Sequence, residues 1–152
     1  MEERLIKVGI THGDINGIGY EVILKTFSDA RVAELCTPVI YGSSKIAAYH
    51  REALELPPVN MNIISQAEDA GINRVNIINC VDDETKVELS QSTSIAGEAA
   101  FLALEAAVTD LKRGAVDVLL TAPINKHNIQ NDEFHFPGHT EYLEERFGGV
   151  GR

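Results

Sequence analysis

Three segments of the chain combine residue types and spacings that suit ligand binding. The first is T-H-G-D-I-N-G-I-G-Y-E, Thr11–Glu21, in which Gly13, Gly17 and Gly19 permit a tight turn and bring backbone N–H groups close to a ligand. A helix beginning in this segment would add partial positive charge for an anion. The spacing G-x-x-x-G-x-G is neither the dinucleotide fingerprint nor a Walker loop. Taken alone, the segment is better explained as a glycine-rich turn that any α/β protein can place after a strand.

The second segment is T-A-P-I-N-K, Thr121–Lys126, which directly follows an apolar run. In open α/β sheets, ligands bind beyond the carboxyl ends of the strands. Lys126 at such a position could neutralise a phosphate or a carboxylate, and Thr121 and Asn125 could supply hydrogen bonds. A solvated lysine near the start of a helix explains the same position equally well.

The third segment is F-H-F-P-G-H-T-E, Phe134–Glu141, where a Pro-Gly pair interrupts the backbone just before His139 and Thr140. We expect Thr140 to cap the final helix, so that both side chains project at a helix N-terminus, a natural anion site. His135 and His139 have the spacing of helical zinc ligands, but the intervening Pro-Gly argues against a helix and therefore against a metal pair. As isolated residues, a hydrogen-bonded loop histidine and a simple cap are the better explanation. The remaining histidines, His12, His50 and His127, show no ligand-like spacing.

The elements that would position these segments are short runs rich in Val and Ile, alternating with helical patterns. This alternation predicts an α/β protein with a largely parallel sheet. Strands are predicted at Leu5–Thr11, Pro38–Tyr41, Asn60–Ile64, Val75–Cys80 and Val116–Thr121, the last of them buried. Helices are predicted at Tyr20–Phe27, from Ser43 or Ser44 to Leu54, from Ser94 or Ile95 to Lys112, and at Thr140–Phe147, with a short helix after Lys126 and a loop at Ala67–Gly71. The many alanines of the long third helix favour close packing against a neighbour, or simply a high helix propensity.

The composition is that of a globular protein, with 44% hydrophobic and 24% charged residues among 152. With 13 Lys and Arg against 23 Asp and Glu, the net charge is −10, which disfavours nucleic-acid and anionic-membrane partners. No apolar run approaches the roughly 20 residues of a membrane span, and the start does not resemble a secretory signal. Cys36 and Cys80, each in an apolar context, suggest reduced thiols in the core of a cytoplasmic protein. The glycine-rich tail after the last helix predicts that residues 1–152 form a partial α/β domain, a fragment of a longer chain.

In their order and intervals, the three segments resemble the 4-hydroxythreonine-4-phosphate dehydrogenase family of pyridoxal phosphate biosynthesis. The opening I-T-H-G-D-I-N-G-I-G-Y-E is similar to the family's I-T-x-G-D-P-A-G-I-G-P-E, T-A-P-I-N-K to its T-A/G-P-x-x-K, and Gly138–Glu141 to its G-H-T-E. Ser92–Glu98, S-T-S-I-A-G-E, also resembles the segment before the family's long helix. The resemblance spans nearly the whole chain. Ile15, Asn16 and Tyr20 replace the family's usual proline, alanine and proline, and we expect these changes to loosen the first turn.

The resemblance implies the three-layer α/β/α fold of isocitrate and isopropylmalate dehydrogenases, of which this chain would be the first part. That fold has two domains with an active site between them, completed across a homodimer. The implied reaction is the oxidation of the secondary hydroxyl of 4-phosphohydroxy-L-threonine by NAD or NADP, followed by loss of the carboxylate. The product would be 3-amino-2-oxopropyl phosphate.

The resemblance also implies a divalent metal, Zn, Mg or Co, acting as a Lewis acid on the hydroxyl and the developing enolate. The family's three metal-binding histidines and further phosphate-contacting basic residues lie beyond Arg152, so we expect the fragment to be inactive alone. The substrate-binding His-Thr pair carries over onto His139 and Thr140. Lys126 and Asp14 are further candidates for lining the same cleft, by their position in the sequence only. Their ligand would be the small phosphorylated substrate.

Three alternatives stay open at this point. One is a dehydrogenase of a 4-phosphorylated sugar acid, 4-phosphoerythronate or 4-phosphothreonate. Contacts that recognise or reject the substrate's amino group would distinguish it from the 4-hydroxythreonine-4-phosphate enzyme. The second is a phosphate acyltransferase of similar fold. It needs no metal and no nicotinamide, so activity that is lost with a chelator would indicate the dehydrogenase instead. The third is a non-catalytic binding domain, for which a stable folded monomer would be the sign.

Overall fold

The computed structural model describes residues 5–125, residue 128 and residues 139–146. A single sheet of five parallel strands forms its centre. The strands are β1 (Lys7–Thr11), β2 (Thr37–Gly42), β3 (Met61–Ile64), β4 (Val75–Asn79) and β5 (Val118–Thr121). Their order across the sheet is β3-β4-β2-β1-β5, so β1 lies between its neighbour in sequence and the last strand.

In the described ranges, five helices connect and cover these strands. They are α1 (Gly19–Phe27), α2 (Val32–Leu35), α3 (Ser44–Ala53), α4 (Ser94–Lys112) and α5 (His139–Arg146), with a short 3₁₀ turn at Ala67–Asp69. Hydroxyl caps fix two of the helix starts, because Ser43 Oγ accepts the Ile46 N–H and Thr93 Oγ1 accepts the Ala96 N–H. These caps stand where the sequence predicts the two helices to begin.

Side chains of the strands alternate between two buried faces, which makes the molecule three-layered. On one face Ile10, Ile40 and Ile77 pack with residues of α1 and α2. On the other face Val39 and Tyr41 pack against alanines of α4. The fully buried alanines of that helix are Ala96, Ala103 and Ala107. The predicted α/β class with a parallel sheet is therefore confirmed, and the small side chains do serve close packing of helix on sheet.

The connections place β1 and β5 at the point where the chain changes direction across the sheet. The chain leaves β1 through α1 and α2 on one face and enters β5 through α4 on the other face. In open α/β sheets this is where ligands bind, beyond the carboxyl ends of the strands. We call the carboxyl ends of β1 and β5, with the loops that follow them, the β1–β5 edge.

Predicted and observed elements agree closely, with three differences. Strand β5 is not buried, because in the described part of the chain it is an edge strand in which Val118 is 44% and Leu120 is 58% exposed. Helix α2 was not predicted, and the predicted loop after β3 contains the 3₁₀ turn. Cys36 and Cys80 are free thiols but only half-buried, so neither is a true core residue. The short helix expected after Lys126 lies outside the described residues.

No helix in the described ranges is both long enough and apolar enough to cross a bilayer.

Candidate functional site at the β1–β5 edge

The first two sequence motifs meet at the β1–β5 edge through their backbones. The Asp14 N–H donates to the Pro123 carbonyl at 2.9 Å, and the Ala122 N–H donates to the Thr11 carbonyl at 3.2 Å. Gly13 has φ +68°, and a Cβ on it would lie 2.3 Å from the Pro123 oxygen. The loop after β1 and the loop after β5 are therefore packed in direct contact, as a shared ligand site requires.

The glycines of the first motif serve the protein's own packing, in agreement with the interpretation of this segment as a glycine-rich turn after a strand. Besides the Gly13 contact, a Cβ on Gly19 would lie 2.3 Å from the His12 carbonyl oxygen. The Gly17 N–H donates to the Asp14 carbonyl at 3.0 Å. Both close approaches are therefore filled by backbone of the same chain.

Asp14 lies in the turn at this edge, as its position in the sequence predicts. Its Oδ1 accepts the Asn16 N–H at 3.0 Å, a local bond that orders the turn. The side chain is half-buried rather than enclosed. Its carboxylate therefore stands beside the contact with the β5 loop, where it can accept further hydrogen bonds.

The third motif reaches the same region through α5. This helix already includes His139, so Thr140 lies in its first turn and is not the N-cap that we expected. The buried Tyr142 packs on Phe101 of α4 with ring centroids 6.4 Å apart and planes nearly perpendicular. Ile124, from the loop after β5, packs against the same apolar cluster. The helix start is thus anchored beside the second motif.

Several of the candidate groups lie outside the described residues. They are Lys126 and the side chains of His139 and Thr140. Their predicted roles stay predictions. Asn125, for which we expected ligand contacts, uses its Oδ1 to accept the Asn128 N–H at 3.1 Å.

The expectation of a looser first turn is wrong. Ile15 and Tyr20 are fully buried and Asn16 is 2% exposed. Their side chains fill space or form hydrogen bonds that hold the turn against distant parts of the chain. Side-chain anchoring thus replaces the backbone stiffness that two prolines would supply.

Below the turn, His12 and Tyr20 form a buried polar network that the sequence did not reveal. His12 Nε2 lies 2.9 Å from the Ala99 carbonyl, which can only accept, so this nitrogen carries the hydrogen. Nδ1 therefore accepts the Tyr20 hydroxyl proton at 2.7 Å, and the Tyr20 oxygen accepts the Ser43 N–H at 2.9 Å. Burial lowers the pKa of His12 to about 4, which keeps the ring neutral at neutral pH.

His50 extends this network on the other side of the Tyr20 ring. Its Nε2 donates to the Ile15 carbonyl at 2.7 Å, and its ring stacks on Tyr20 with centroids 5.3 Å apart. Burial also lowers the pKa of His50. The signal that could have revealed the network is a tyrosine at a proline position of the motif, since a buried hydroxyl needs partners.

The described part of the site consists of a helix start with acidic neighbours. Helix α1 begins at the β1–β5 edge without a side-chain cap from Ile18, and two carboxylates lie beside its partial positive charge: that of Glu21 in its first turn and that of Asp14 in the loop before it. Among the described residues, no cluster of three or more His, Cys, Asp or Glu side chains could hold a metal ion.

Comparison with known proteins decides the family. A family model described as "Pyridoxal phosphate biosynthetic protein PdxA" matches residues 34–151. The chain belongs to the PdxA family. The predicted family resemblance is thereby confirmed.

Relatives and a solved structure agree with this assignment to the PdxA family. A 4-hydroxythreonine-4-phosphate dehydrogenase of Bacteroides thetaiotaomicron is 60% identical over 148 residues, covering 97% of this chain and 40% of the relative. A Clostridium botulinum protein, provisionally named as a D-threonate 4-phosphate dehydrogenase, is 33% identical over 141 residues, covering 90% and 41%. The crystal structure of a 4-hydroxythreonine-4-phosphate dehydrogenase from Burkholderia phymatum matches with a TM-score of 0.83 and 29% identity, covering 96% and 44%. The chain spans about two fifths of the length of the curated relatives it matches.

Proposed function

We propose that the chain is part of an enzyme that oxidises and decarboxylates 4-phosphohydroxy-L-threonine in pyridoxal 5'-phosphate (vitamin B6) biosynthesis. The observation that carries this proposal is the 60% identity, over almost the whole chain, to a relative named for that dehydrogenase activity. In the reaction the hydroxyl-bearing carbon gives up a hydride to NAD or NADP and the hydroxyl loses its proton. The bond to the carboxylate then breaks and releases CO₂, its electron pair forms an enolate, and the amino-bearing carbon takes up a proton to give 3-amino-2-oxopropyl phosphate.

His139 and Thr140 are our candidates for binding the substrate through hydrogen bonds. Support comes from the placement of their backbone in the first turn of α5, anchored beside the loop after β5. The first backbone N–H groups of a helix have no partner within it and carry partial positive charge, which favours an anionic, phosphorylated ligand. Asp14 and Lys126, from the two loops of the β1–β5 edge, are further candidates for contacts to it.

The metal and the nicotinamide cofactor are proposed on family resemblance and not on the described residues. These residues offer no cluster of metal-ligating side chains, and the space beside Gly13 and Gly19 is filled by the chain's own backbone. They do not by themselves fit either group, so no step is assigned to them through a metal. We propose that the remaining ligands come from the part of the enzyme that this chain does not span, in a cytoplasmic homodimer.

A second candidate function is the oxidation of 4-phosphothreonate. The supporting observation is the 33% identity to the Clostridium botulinum relative named provisionally for D-threonate 4-phosphate. The two substrates differ in an amino group against a hydroxyl. At neutral pH the amino group is a cationic donor and the hydroxyl a neutral donor and acceptor, so a carboxylate partner in the site would favour the substrate with the amino group. None of the relatives described above is an acyltransferase.

The test uses a chimera in which this chain replaces the matching segment of the Bacteroides thetaiotaomicron relative. NADH absorbance is followed with 4-phosphohydroxy-L-threonine or D-threonate 4-phosphate, NAD or NADP, a divalent metal, and a chelator control. We expect turnover of the first substrate that is abolished by chelator and reduced at least 100-fold in His139→Ala. Glu144→Gln, an exposed position on the same helix, is the matched control and should keep full activity.

Each outcome has a defined meaning. A preference for D-threonate 4-phosphate would favour the second function, oxidation of 4-phosphothreonate, over the first. A folded chimera inactive with both substrates would refute both dehydrogenase proposals, and an active His139→Ala variant would remove that residue from the site.

A further inference from the structure

A single buried residue of the glycine-rich turn holds the segment that leads into α4. The Asn16 side chain bonds at both ends of its amide: Oδ1 accepts the Glu88 N–H at 2.7 Å, and Nδ2 donates to the Gln91 carbonyl at 3.0 Å. Nδ2 also lies 3.3 Å from Oγ1 of Thr93, the residue that caps α4. Its backbone carbonyl accepts the Ser90 N–H at 2.9 Å. The turn and the segment Glu88–Thr93 are therefore joined through one residue.

The held segment has little else to keep it in place. Ser90 has φ +64°, a left-handed conformation that costs energy for a residue with a side chain. Ser90, Gln91 and Ser92 are all exposed, so burial does not fix them. Outside the bonds to Asn16, the described hydrogen bonds of this segment are the turn from the Gln91 N–H to the Glu88 carbonyl, at 3.1 Å, and the bonds by which Thr93 at its end caps α4.

We propose that Asn16 is a positioning residue that holds Glu88–Thr93 against the glycine-rich turn, so that this segment forms one wall of the substrate site at the β1–β5 edge. The inference rests on the proposed function. Asn16 is linked to Asp14 by the bond between its N–H and Oδ1, and Asp14 in turn is bonded to the β5 loop. The exposed hydroxyls and amide of the segment suit a small phosphorylated hydroxy acid, whose polar groups need donors and acceptors.

The first test measures amide hydrogen exchange in the 152-residue chain and in Asn16→Ala. Exchange should rise at Glu88, whose amide loses its side-chain acceptor, and also at Ser90, whose acceptor is the backbone carbonyl of Asn16 and survives the substitution. Faster exchange at Ser90, by about tenfold or more, shows that the side chain holds the whole segment. If only Glu88 changes, the backbone holds the segment and the proposal is overturned.

Asn76 provides a matched control variant. It is equally buried and bonds a loop in the same way, with Nδ2 donating to the Gly71 carbonyl and Oδ1 accepting the Gly71 N–H. It lies near the start of β4, at the opposite end of the sheet from the β1–β5 edge. Asn76→Ala should lower stability to a similar degree as Asn16→Ala while leaving exchange at Ser90 unchanged relative to the other loops.

The second test is steady-state kinetics of both variants in the chimera described above. We expect Asn16→Ala to raise KM for the phosphorylated substrate about tenfold with kcat within twofold of wild type, since a loose wall must be ordered on binding. Asn76→Ala should leave both constants unchanged. Equal KM values in the two variants would overturn the positioning role even if exchange at Ser90 rises. An inactive wild-type chimera would instead contradict the proposed function, while the exchange result still decides whether Asn16 holds the segment.

Discussion

His12 and His50 lie on two sides of one tyrosine ring, yet neither is placed to act on a ligand. Ring centroids of His12 and Tyr20 are 5.5 Å apart in an edge-on arrangement, and those of Tyr20 and His50 are 5.3 Å apart in a stack. Each histidine uses Nε2 to bond a backbone carbonyl. Their role is to keep the turn after β1 attached to α3 and α4. For His12 that role requires a neutral ring, because its Nδ1 must accept the Tyr20 hydroxyl proton.

The His12 network makes folding stability depend on pH. The folded-state pKa of about 4 lies below the usual 6.5, so the unfolded chain takes up a proton first as pH falls. The contribution of neutral His12 to the free energy of unfolding is complete above pH 6.5 and is lost as the pH falls toward 4. Between pH 7 and pH 5 we expect the His12 contribution to fall by roughly 2 kcal/mol, measured as the free energy of unfolding in urea.

The control for this prediction is His12→Gln, which cannot titrate. Its absolute stability will be lower, but its loss between pH 7 and pH 5 should be smaller than that of the wild type by the same roughly 2 kcal/mol. Some loss remains, because burial also lowers the pKa of His50. Glu68 and Asp29, whose pKa values are lowered by Arg113 and Arg31, act mainly below this window. Identical pH slopes in the two proteins would show that His12 is not buried in neutral form.

At the scale of elements, the contact between the loops after β1 and β5 depends on a glycine. Gly13→Ala would place a Cβ 2.3 Å from the Pro123 oxygen and 2.9 Å from the Ala122 carbonyl carbon, and it would keep a positive φ. We expect destabilisation of about 3 kcal/mol or more, because backbone on both sides must shift. Chemical denaturation measures the change.

Gly114 is the matched control for this substitution. It also has a positive φ, +82°, but a Cβ on it meets nothing within 4 Å. Gly114→Ala should cost only the backbone preference, about 1 kcal/mol. Similar costs for the two alanine variants would mean that the loop contact contributes little, and would weaken the case for a preorganised β1–β5 edge.

Most elements of the fold could be predicted because they depend on local patterns. The hydrophobic runs of the strands, the Ser43 cap and the stop after α4 are all visible in short windows of sequence. Helix α2 has four residues, too few for a periodic signal. The run before Thr121 indicates a strand but not its place at the edge of the described sheet, so its burial was overestimated.

The site was predictable as a set of motifs and not as a set of contacts. Local spacing shows where Gly13 and Asp14 turn the chain, but the Pro123 carbonyl that they meet lies more than a hundred residues away in sequence. The same limit explains the wrong expectation for Asn16. The sequence shows that Asn16 stands where the family usually has alanine. It does not show that the side chain bonds Glu88, which is 72 residues distant and could be found only in the folded chain.

For the whole molecule, the outer edge of β5 is a surface through which chains can associate. Val118 and Leu120 are 44% and 58% exposed on the edge strand of the described sheet. An exposed apolar edge strand is a template for pairing with another chain. We expect the 152-residue chain to self-associate in sedimentation velocity, and Leu120→Lys to shift it toward monomer. Ile72→Lys, at a residue 69% exposed outside the sheet, should have no such effect, and an equal effect of both would rule out the β5 edge.

Because β1 lies between β2 and β5, its two sides are covered at different times while the chain is synthesised on the ribosome. One side of β1 is covered as soon as β2 emerges, whereas its other side waits for β5. The wait is long: the Lys7 N–H at the start of β1 donates to the carboxylate of Asp117, just before β5, across 110 residues of sequence. At about 5 to 20 residues per second, the nascent chain carries an uncovered inner strand for roughly 5 to 20 seconds. The β1–β5 edge therefore forms only after all five strands of the described sheet have been made, and the interval before β5 arrives is when the growing chain most needs protection from its neighbours.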